Sequence, residues 1–138
     1  MAAKRPQPRF PEPDTLPFWE ATKRHELTYQ TCDTCSTVIF YPRRHCTACG
    51  SSETTLKVSK GEGVVYTYSV VVQSRHPAFA ELGPYAIAYI DLDEGFRMMS
   101  NIVNTGDPLN DIQCGMRVKV AWEDQGEDDI SLPMFEPA

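Results

Sequence analysis

From residue 63 onward the apolar positions fall into five short runs that alternate with polar residues, and each run is bounded by Gly, Pro, Asp or Asn. The runs at 63–73, 85–91, 96–103, 117–122 and 130–135 read as β-strands, because alternation gives an extended chain one face for a core and one for solvent. In the second run Ala86, Ala88 and Ile90 oppose Ile87 and Tyr89; in the first, Tyr66, Tyr68 and Val70 oppose Val65, Thr67 and Ser69. Gly61 and Gly63 at the head of the long first run suit a strand that bends sharply or carries a bulge. Asp93, Glu94 and Gly95 read as the hairpin turn between the second and third runs, with Gly95 at positive φ. Gly106-Asp107-Pro108 breaks the chain again.

The pattern upstream is different. Residues 15–28 read as a helix capped by Asp14 or Thr15, with Pro17 tolerated in the first turn and Leu16, Trp19, Lys23 and Leu27 on one face. Phe18 and Trp19 are adjacent and cannot both point at the same surface. Before them, Pro6, Pro8, Pro11 and Pro13 hold residues 1–13 as an extended arm that wraps over the rest. Thr37 to Tyr41 is an apolar strand ended by Pro42, and 54–60 reads as a linker. The expected division is an arm and helix at 1–28, a metal ribbon with its linker at 29–60, and a barrel at 61–138. The fold class is mainly β. Five short strands behind a long curled first strand suit a five-stranded OB-fold barrel, with an SH3-like barrel or an open sandwich as the alternatives. The acidic stretch 123–129 reads as a solvated, mobile connection.

Cys32, Cys35, Cys46 and Cys49 form two C-x-x-C pairs ten residues apart, a spacing that offers four sulfur ligands to a tetrahedral Zn²⁺ at about 2.3 Å. Gly50 follows the second pair directly, where a chain leaving such a knuckle needs positive φ. A redox pair is the alternative, but neither C-x-x-C opens an amphipathic helix in a βαβ pattern. A closed four-cysteine shell leaves no position for water or substrate, so the expected zinc is structural. His45 beside Cys46 reads as a surface histidine, and Cys114, outside the four, as a buried reduced thiol.

Charge narrows the partners. Residues 1–60 carry nine Lys/Arg against six Asp/Glu, and residues 61–138 carry four against thirteen. An OB barrel that tracks phosphates needs clustered cations beside exposed aromatics, so this imbalance argues against nucleic acid although Tyr66, Tyr68, Tyr85 and Tyr89 supply rings. The N-terminal stretch lacks the apolar segment of a signal peptide, and no run is long enough to span a bilayer; the expected location is cytoplasmic. His25, His45 and His76 stand apart from any motif, and Asp91, Asp93 and Glu94 read as turn residues rather than a catalytic dyad.

Taken in order, Phe18-Trp19, the four cysteines with Phe40-Tyr41-Pro42-Arg43, Gly63-Val64-Val65-Tyr66-Thr67-Tyr68, Pro84-Tyr85, Asp91-Leu92-Asp93-Glu94-Gly95, Cys114-Gly115-Met116 and Leu132-Pro133-Met134-Phe135 resemble the acyl-CoA-associated DUF35 OB-fold proteins. The resemblance covers nearly the whole chain. It implies a rubredoxin-like zinc ribbon fused to an OB-fold, acting as a non-catalytic partner of thiolase-like enzymes, whether thiolases or aldolases of lipid and steroid side-chain degradation. Given such a partner, Arg43, Arg44, Lys57 and Lys60 on or beside the ribbon are candidates to meet the phosphates of an acyl-CoA at the shared interface, with a solvated rim as the alternative, and Phe18, Trp19, Ile39, Phe40 and Tyr41 are candidates to face the partner, with Phe18 and Trp19 bridging the helix to the chain's own ribbon as the alternative. A stand-alone acyl-CoA-binding module and an OB-fold nucleic-acid binder are the other two classes.

Overall fold

The structure, a computed structural model, describes residues 5–8, 12–126 and 129–138. Pro11 of the expected arm and Glu127 and Asp128 of the expected acidic loop lie outside those residues. Helix α1, Leu16–Thr22, starts at Thr15 with Pro17 in its first turn. It is shorter than the pattern suggested because His25 takes φ 58 and the N–H groups of Arg24 and Glu26 both return to the Ala21 carbonyl. That left-handed turn stops the helix and sends Leu27 into the core. The buried face is Phe18, Ala21 and Thr22 rather than the stripe through Leu16, which is exposed.

Strands β1, Thr28–Cys32, β2, Val38–Ile39, and β3, Thr54–Val58, form an antiparallel sheet in the order β2-β1-β3. The expected linker at 54–60 is therefore mostly strand, paired with β1 from Thr28↔Val58 to Cys32↔Thr54. Sequence alternation is weak there because neither face of β3 is buried: Thr54 is half-buried and Thr55 to Val58 are exposed, Leu56 and Val58 among them.

All five expected barrel strands are present: β4, Glu62–Val71, β5, Tyr85–Leu92, β6, Arg97–Ile102, β7, Arg117–Asp124, and β8, Ser131–Pro137. They close in the order β4-β5-β6-β8-β7, with β4 returning to β7, which makes the five-stranded Greek-key barrel of an OB-fold. The bulge in β4 falls between Val65 and Thr67 and not at a glycine. Gly63 serves a different need, since a Cβ there would stand 2.3 Å from the Asp91 carbonyl oxygen. The β5–β6 hairpin turns at Gly95, φ 100, as expected.

One core cluster spans the barrel, the helix and the near end of the ribbon sheet, while Cys32, Ile39 and Cys46 form a second, separate cluster. Val65, Ala86, Ala88, Ile90, Val118 and Phe135 fill the barrel, and Phe18, Leu27 and Phe96 join it to the helix and ribbon. At roughly 25 cal/mol per Å² of apolar surface removed from water, such large side chains dominate the stability of a chain this size. Glu94, expected only to solvate the hairpin tip, accepts from the Ser59 hydroxyl at 2.6 Å and the Lys60 N–H at 2.9 Å. Its carboxylate fixes the segment between ribbon and barrel. Within the described part of the arm, Arg5 bonds to Glu123 at 2.8 Å and stands over the Phe79 ring, which ties it to the barrel.

Two expectations fail here. Glu123 and Asp124 belong to β7 rather than to a free loop, bonded to Arg5 and to His25 respectively. Cys114 is exposed, because Ile112 takes the inward position and Gly115, φ 86, turns the chain so that its N–H meets the Val65 carbonyl. Among the described residues no helix is long and apolar enough to cross a membrane.

Candidate metal centre and the cleft beside it

The two knuckles are built alike. Ser36 N–H donates to the Cys32 carbonyl at 2.9 Å and Gly50 N–H to the Cys46 carbonyl at 3.0 Å; one residue further on, the carbonyls of Thr37 and Ser51 accept from Cys32 and Cys46 N–H. Both turns need a left-handed residue after the second cysteine, supplied by Gly50, φ 77, and by Ser36, φ 64. Sequence reading found the glycine and missed the serine, whose type gives no such signal.

These turns bring all four Sγ atoms within 4.8 Å of one another, with Cys32 to Cys49 and Cys35 to Cys46 at 3.6 Å. A tetrahedron of sulfurs at about 2.3 Å from zinc has edges of about 3.8 Å, so the cluster fits that ion. The protonation energetics agree. N–H groups of Cys49 and then Ala48 aimed at the Cys46 sulfur lower that thiol to about 6. Against the lowering pull of the Ser51 N–H, the crowded sulfurs of Cys32 and Cys35 push Cys49 up to about 12. Four thiolates so close cannot all ionise by themselves, and a divalent cation removes that repulsion. Ile39 packs on the buried pair Cys32 and Cys46, whereas His45 is exposed and outside the group. Zinc bound here is structural, held by Cys32, Cys35, Cys46 and Cys49.

The expected basic group is dispersed. Arg44 approaches Asp14 at 3.7 Å, Lys57 lies exposed on β3, and Lys60 adjoins Glu94 and Asp93. Arg43 borders the cleft described below. Of the expected partner-facing residues, Phe18 is 7% and Ile39 2% exposed, so both are spent inside this chain's own fold. Trp19 and Phe40 are half-buried and Tyr41 is exposed.

Tyr41 marks a feature that the sequence did not disclose. It is strained at φ 26 before Pro42, and its hydroxyl accepts the Met99 N–H at 3.2 Å, so the ribbon caps the edge of β6. That edge is open because β6 and β8 pair at one position, Ile102↔Phe135. Phe135 turns its carbonyl to the Val103 N–H at 2.7 Å, so Pro133, two residues back, faces β6 with no N–H to give. Ser100 Oγ donates to the Pro133 carbonyl at 2.6 Å in place of a ladder bond. The seam opens into a cleft of about 490 Å³ between α1, the end of the ribbon and β6 and β8. Pro133 was the available signal.

The carboxylates have structural partners. Asp91 binds Arg97 and Asp93 binds Arg117, and the side-chain hydrogen bond to the guanidinium holds each carboxyl below its ordinary range. Ser131, Asp124 and His25 are linked, but Asp124 stands in the middle, accepting from Ser131 and paired with His25. In a nucleophilic triad the histidine must touch the serine. Here it touches Trp122, ring on ring at 5.3 Å, and Asp124.

Comparison with known proteins gives consistent matches. The model of the ChsH2 rubredoxin-like zinc ribbon domain matches residues 19–55, and that of the ChsH2 C-terminal OB-fold domain matches residues 57–123. A DUF35 domain-containing scaffold protein of Methanothermobacter thermautotrophicus is 33% identical over 124 residues, which are 85% of this chain and 90% of that protein. A Thermomonospora curvata protein named "Probable enoyl-CoA hydratase alpha subunit" is 36% identical over 137 residues; the match takes in 99% of this chain but 41% of that protein. A solved structure described as the Ltp2-ChsH2(DUF35) aldolase superposes with a TM-score of 0.82 at 34% identity, covering 95% of this chain and 98% of the matched one.

Proposed function

This chain belongs to the DUF35 family of ChsH2-type proteins, a zinc ribbon joined to an OB-fold, and from that premise we propose that it is a non-catalytic subunit of an acyl-CoA enzyme. The partner is a thiolase-like protein, a thiolase or an aldolase of lipid or sterol side-chain metabolism in the cytoplasm, and it carries the chemistry. One observation carries the reading: nearly the full length of this chain corresponds to nearly the full length of a chain in an aldolase structure. The site chemistry supports it, since a closed four-sulfur centre activates nothing and the described carboxylates and histidines lack a catalytic arrangement.

In this reading Trp19, Phe40 and Tyr41 contribute to the partner surface, and Arg43, Arg44, Lys57 and Lys60 supply positive charge toward the phosphates of a shared acyl-CoA. The test is affinity capture of the tagged chain from its native cell extract, with the co-purifying protein identified by mass spectrometry. A thiolase-like acyl-CoA enzyme in stoichiometric yield is the expected result. Capture of nucleic acid alone, released by salt, would replace this reading with the OB-fold binder. Within the complex, Arg43→Glu with Arg44→Glu should weaken acyl-CoA binding, and unchanged affinity would remove those arginines from the account.

A further inference from the structure

OB barrels in general take their ligands on the outer face of the second and third barrel strands, flanked by the loop between the first two strands and the loop between the last two. In this chain those strands are β5 and β6, and the loops are 72–84 and the one that begins at Gln125. Tyr85 and Ile87 of β5 and Met99 and Asn101 of β6 point outward, since they alternate with the inward Ala86, Ala88, Met98 and Ile102. With Phe79 from the first loop they line a groove of about 340 Å³, and Arg5 of the N-terminal arm completes the lining.

The arm is seated there in one register. Arg5 Nε donates to Glu123 at 2.8 Å, and Gln7 Nε2 donates to the Gln125 side-chain oxygen at 2.9 Å. Two arm side chains two residues apart thus meet two side chains two residues apart at the end of β7, while Pro6 and Pro8 between and after them stay exposed. The Arg5 guanidinium also stands 5.3 Å from the centre of the Phe79 ring, which is itself held by Tyr85 at 5.6 Å and His76 at 5.2 Å. Its side chain is 16% exposed although Arg5 belongs to no helix or strand, a low value for an arginine. A guanidinium withdrawn from water onto a carboxylate and a ring is bound more firmly than a solvated one. The two prolines hold the backbone extended beforehand, so seating it costs little entropy.

We propose that this groove is a peptide-recognition site for an extended, proline-stiffened segment with Arg and Gln two residues apart, that the chain's own arm is its resident ligand, and that such a segment of another protein takes the same place when the arm leaves it. Charge selects the occupant. A site that seats a guanidinium on a carboxylate repels phosphates, so it does not suit the nucleic acids that many OB barrels bind. Residues 61–138, with four Lys/Arg against thirteen Asp/Glu, attract a basic segment instead. The inference goes beyond the subunit reading and does not rest on it, because Arg5, Phe79, Glu123 and Gln125 are none of the residues assigned there to the partner surface or the acyl-CoA.

The experiment uses the full zinc-loaded chain and a fluorescein-labelled peptide with the sequence of residues 3–9, followed by fluorescence anisotropy. Arg5→Glu sets a carboxylate against Glu123 and releases the arm. A tethered arm competes at a high effective concentration, so the Arg5→Glu chain should bind the peptide about tenfold more tightly than the parent. In that background Glu123→Gln, which keeps the side chain's size, and Phe79→Leu, which removes the ring, should each weaken the peptide about tenfold. A peptide with glutamate in place of its first arginine should not bind. Equal affinity of the parent and the Arg5→Glu chain, or binding by neither, would overturn the groove as a peptide site held by its own arm. Affinity indifferent to both Glu123 and Phe79 would overturn its location. A preference of the Arg5→Glu chain for decathymidylate over the peptide would overturn the assigned occupant.

Discussion

Phe40, just past β2 of the ribbon, lies face to face with Phe96 at the foot of β6, with centroids 4.7 Å apart and planes at 23°. Phe18 of α1 meets Phe40 edge-on at 5.9 Å, and Tyr29 of β1 stacks on Phe96 at 5.1 Å. Helix, ribbon and barrel are thus welded by one aromatic column, although the cysteine motif and the strand pattern divide the chain into separate pieces. Offset and edge-on ring pairs of this kind add about 0.5–1.5 kcal/mol each beyond the area they bury.

Phe40→Ala should lower stability by about 3 kcal/mol, the low end for a phenylalanine because Phe40 is half-buried. Urea unfolding followed by tryptophan fluorescence and by far-ultraviolet circular dichroism checks this. The parent should unfold in one transition by both probes. Two separate transitions would contradict a shared core.

Metal analysis of reduced protein should find one zinc per chain, and Cys46→Ser should abolish tight binding. Chelation should unfold the β1–β2–β3 sheet, since the short β2 has little else to hold it. Hydrogen exchange at the Thr31 and Ile39 amides reads that loss directly.

The two knuckles make opposite predictions. Gly50→Ala should cost about 1 kcal/mol although nothing lies within 4 Å of the added Cβ, because the penalty is the left-handed backbone. Ser36→Gly should stabilise by up to about 1 kcal/mol, as glycine relieves the same strain in the first knuckle. Denaturant midpoints of the zinc-loaded variants decide both.

Asp93→Asn tests the electrostatic clamp between the hairpin and β7. The hydrogen bond from Arg117 keeps the Asp93 carboxyl below its unfolded value, so its contribution is complete above about pH 4 and fades as pH falls through the lower folded value. The parent should exceed the variant slightly at pH 7, and the gap should close toward pH 2. Both side chains are about half exposed, so solvent keeps the effect small. A gap that stays constant across that range would show that the pair does not titrate with folding.

Much of this fold is legible in the chain, and the exceptions have physical causes. Cysteine spacing announces the metal centre because few other arrangements need that geometry. In β5, Ala86, Ala88 and Ile90 point inward as alternation says. In β4 the alternation is irregular because the bulge at Tyr66 shifts the phase: Gly63 and Val65 are inward before it, Tyr68 and Val70 after it. The extra residue leaves Tyr66 outside, under the Arg97 guanidinium at 3.5 Å. No local signal marks such a site.

The surface was harder to read. Adjacent aromatics look alike whether they face a partner or their own core, and only the packed structure shows that Phe18 is consumed internally while Tyr41 is left out. The cleft depends on Pro133 falling on the side of β8 that faces β6, a relation between segments far apart in the chain. Charge composition likewise reveals how many arginines and lysines there are, not that Arg43 and Lys60 stand in different surroundings.

The central claim is that this zinc-held chain assists a reaction it does not perform. The direct measurement is acyl-CoA turnover by the zinc-loaded chain alone, by its captured partner alone, and by the two mixed at increasing ratio. The account predicts no turnover by the chain at any concentration and a partner activity that rises with added chain until the complex is saturated. Turnover that scales with this chain in the absence of any partner would contradict it.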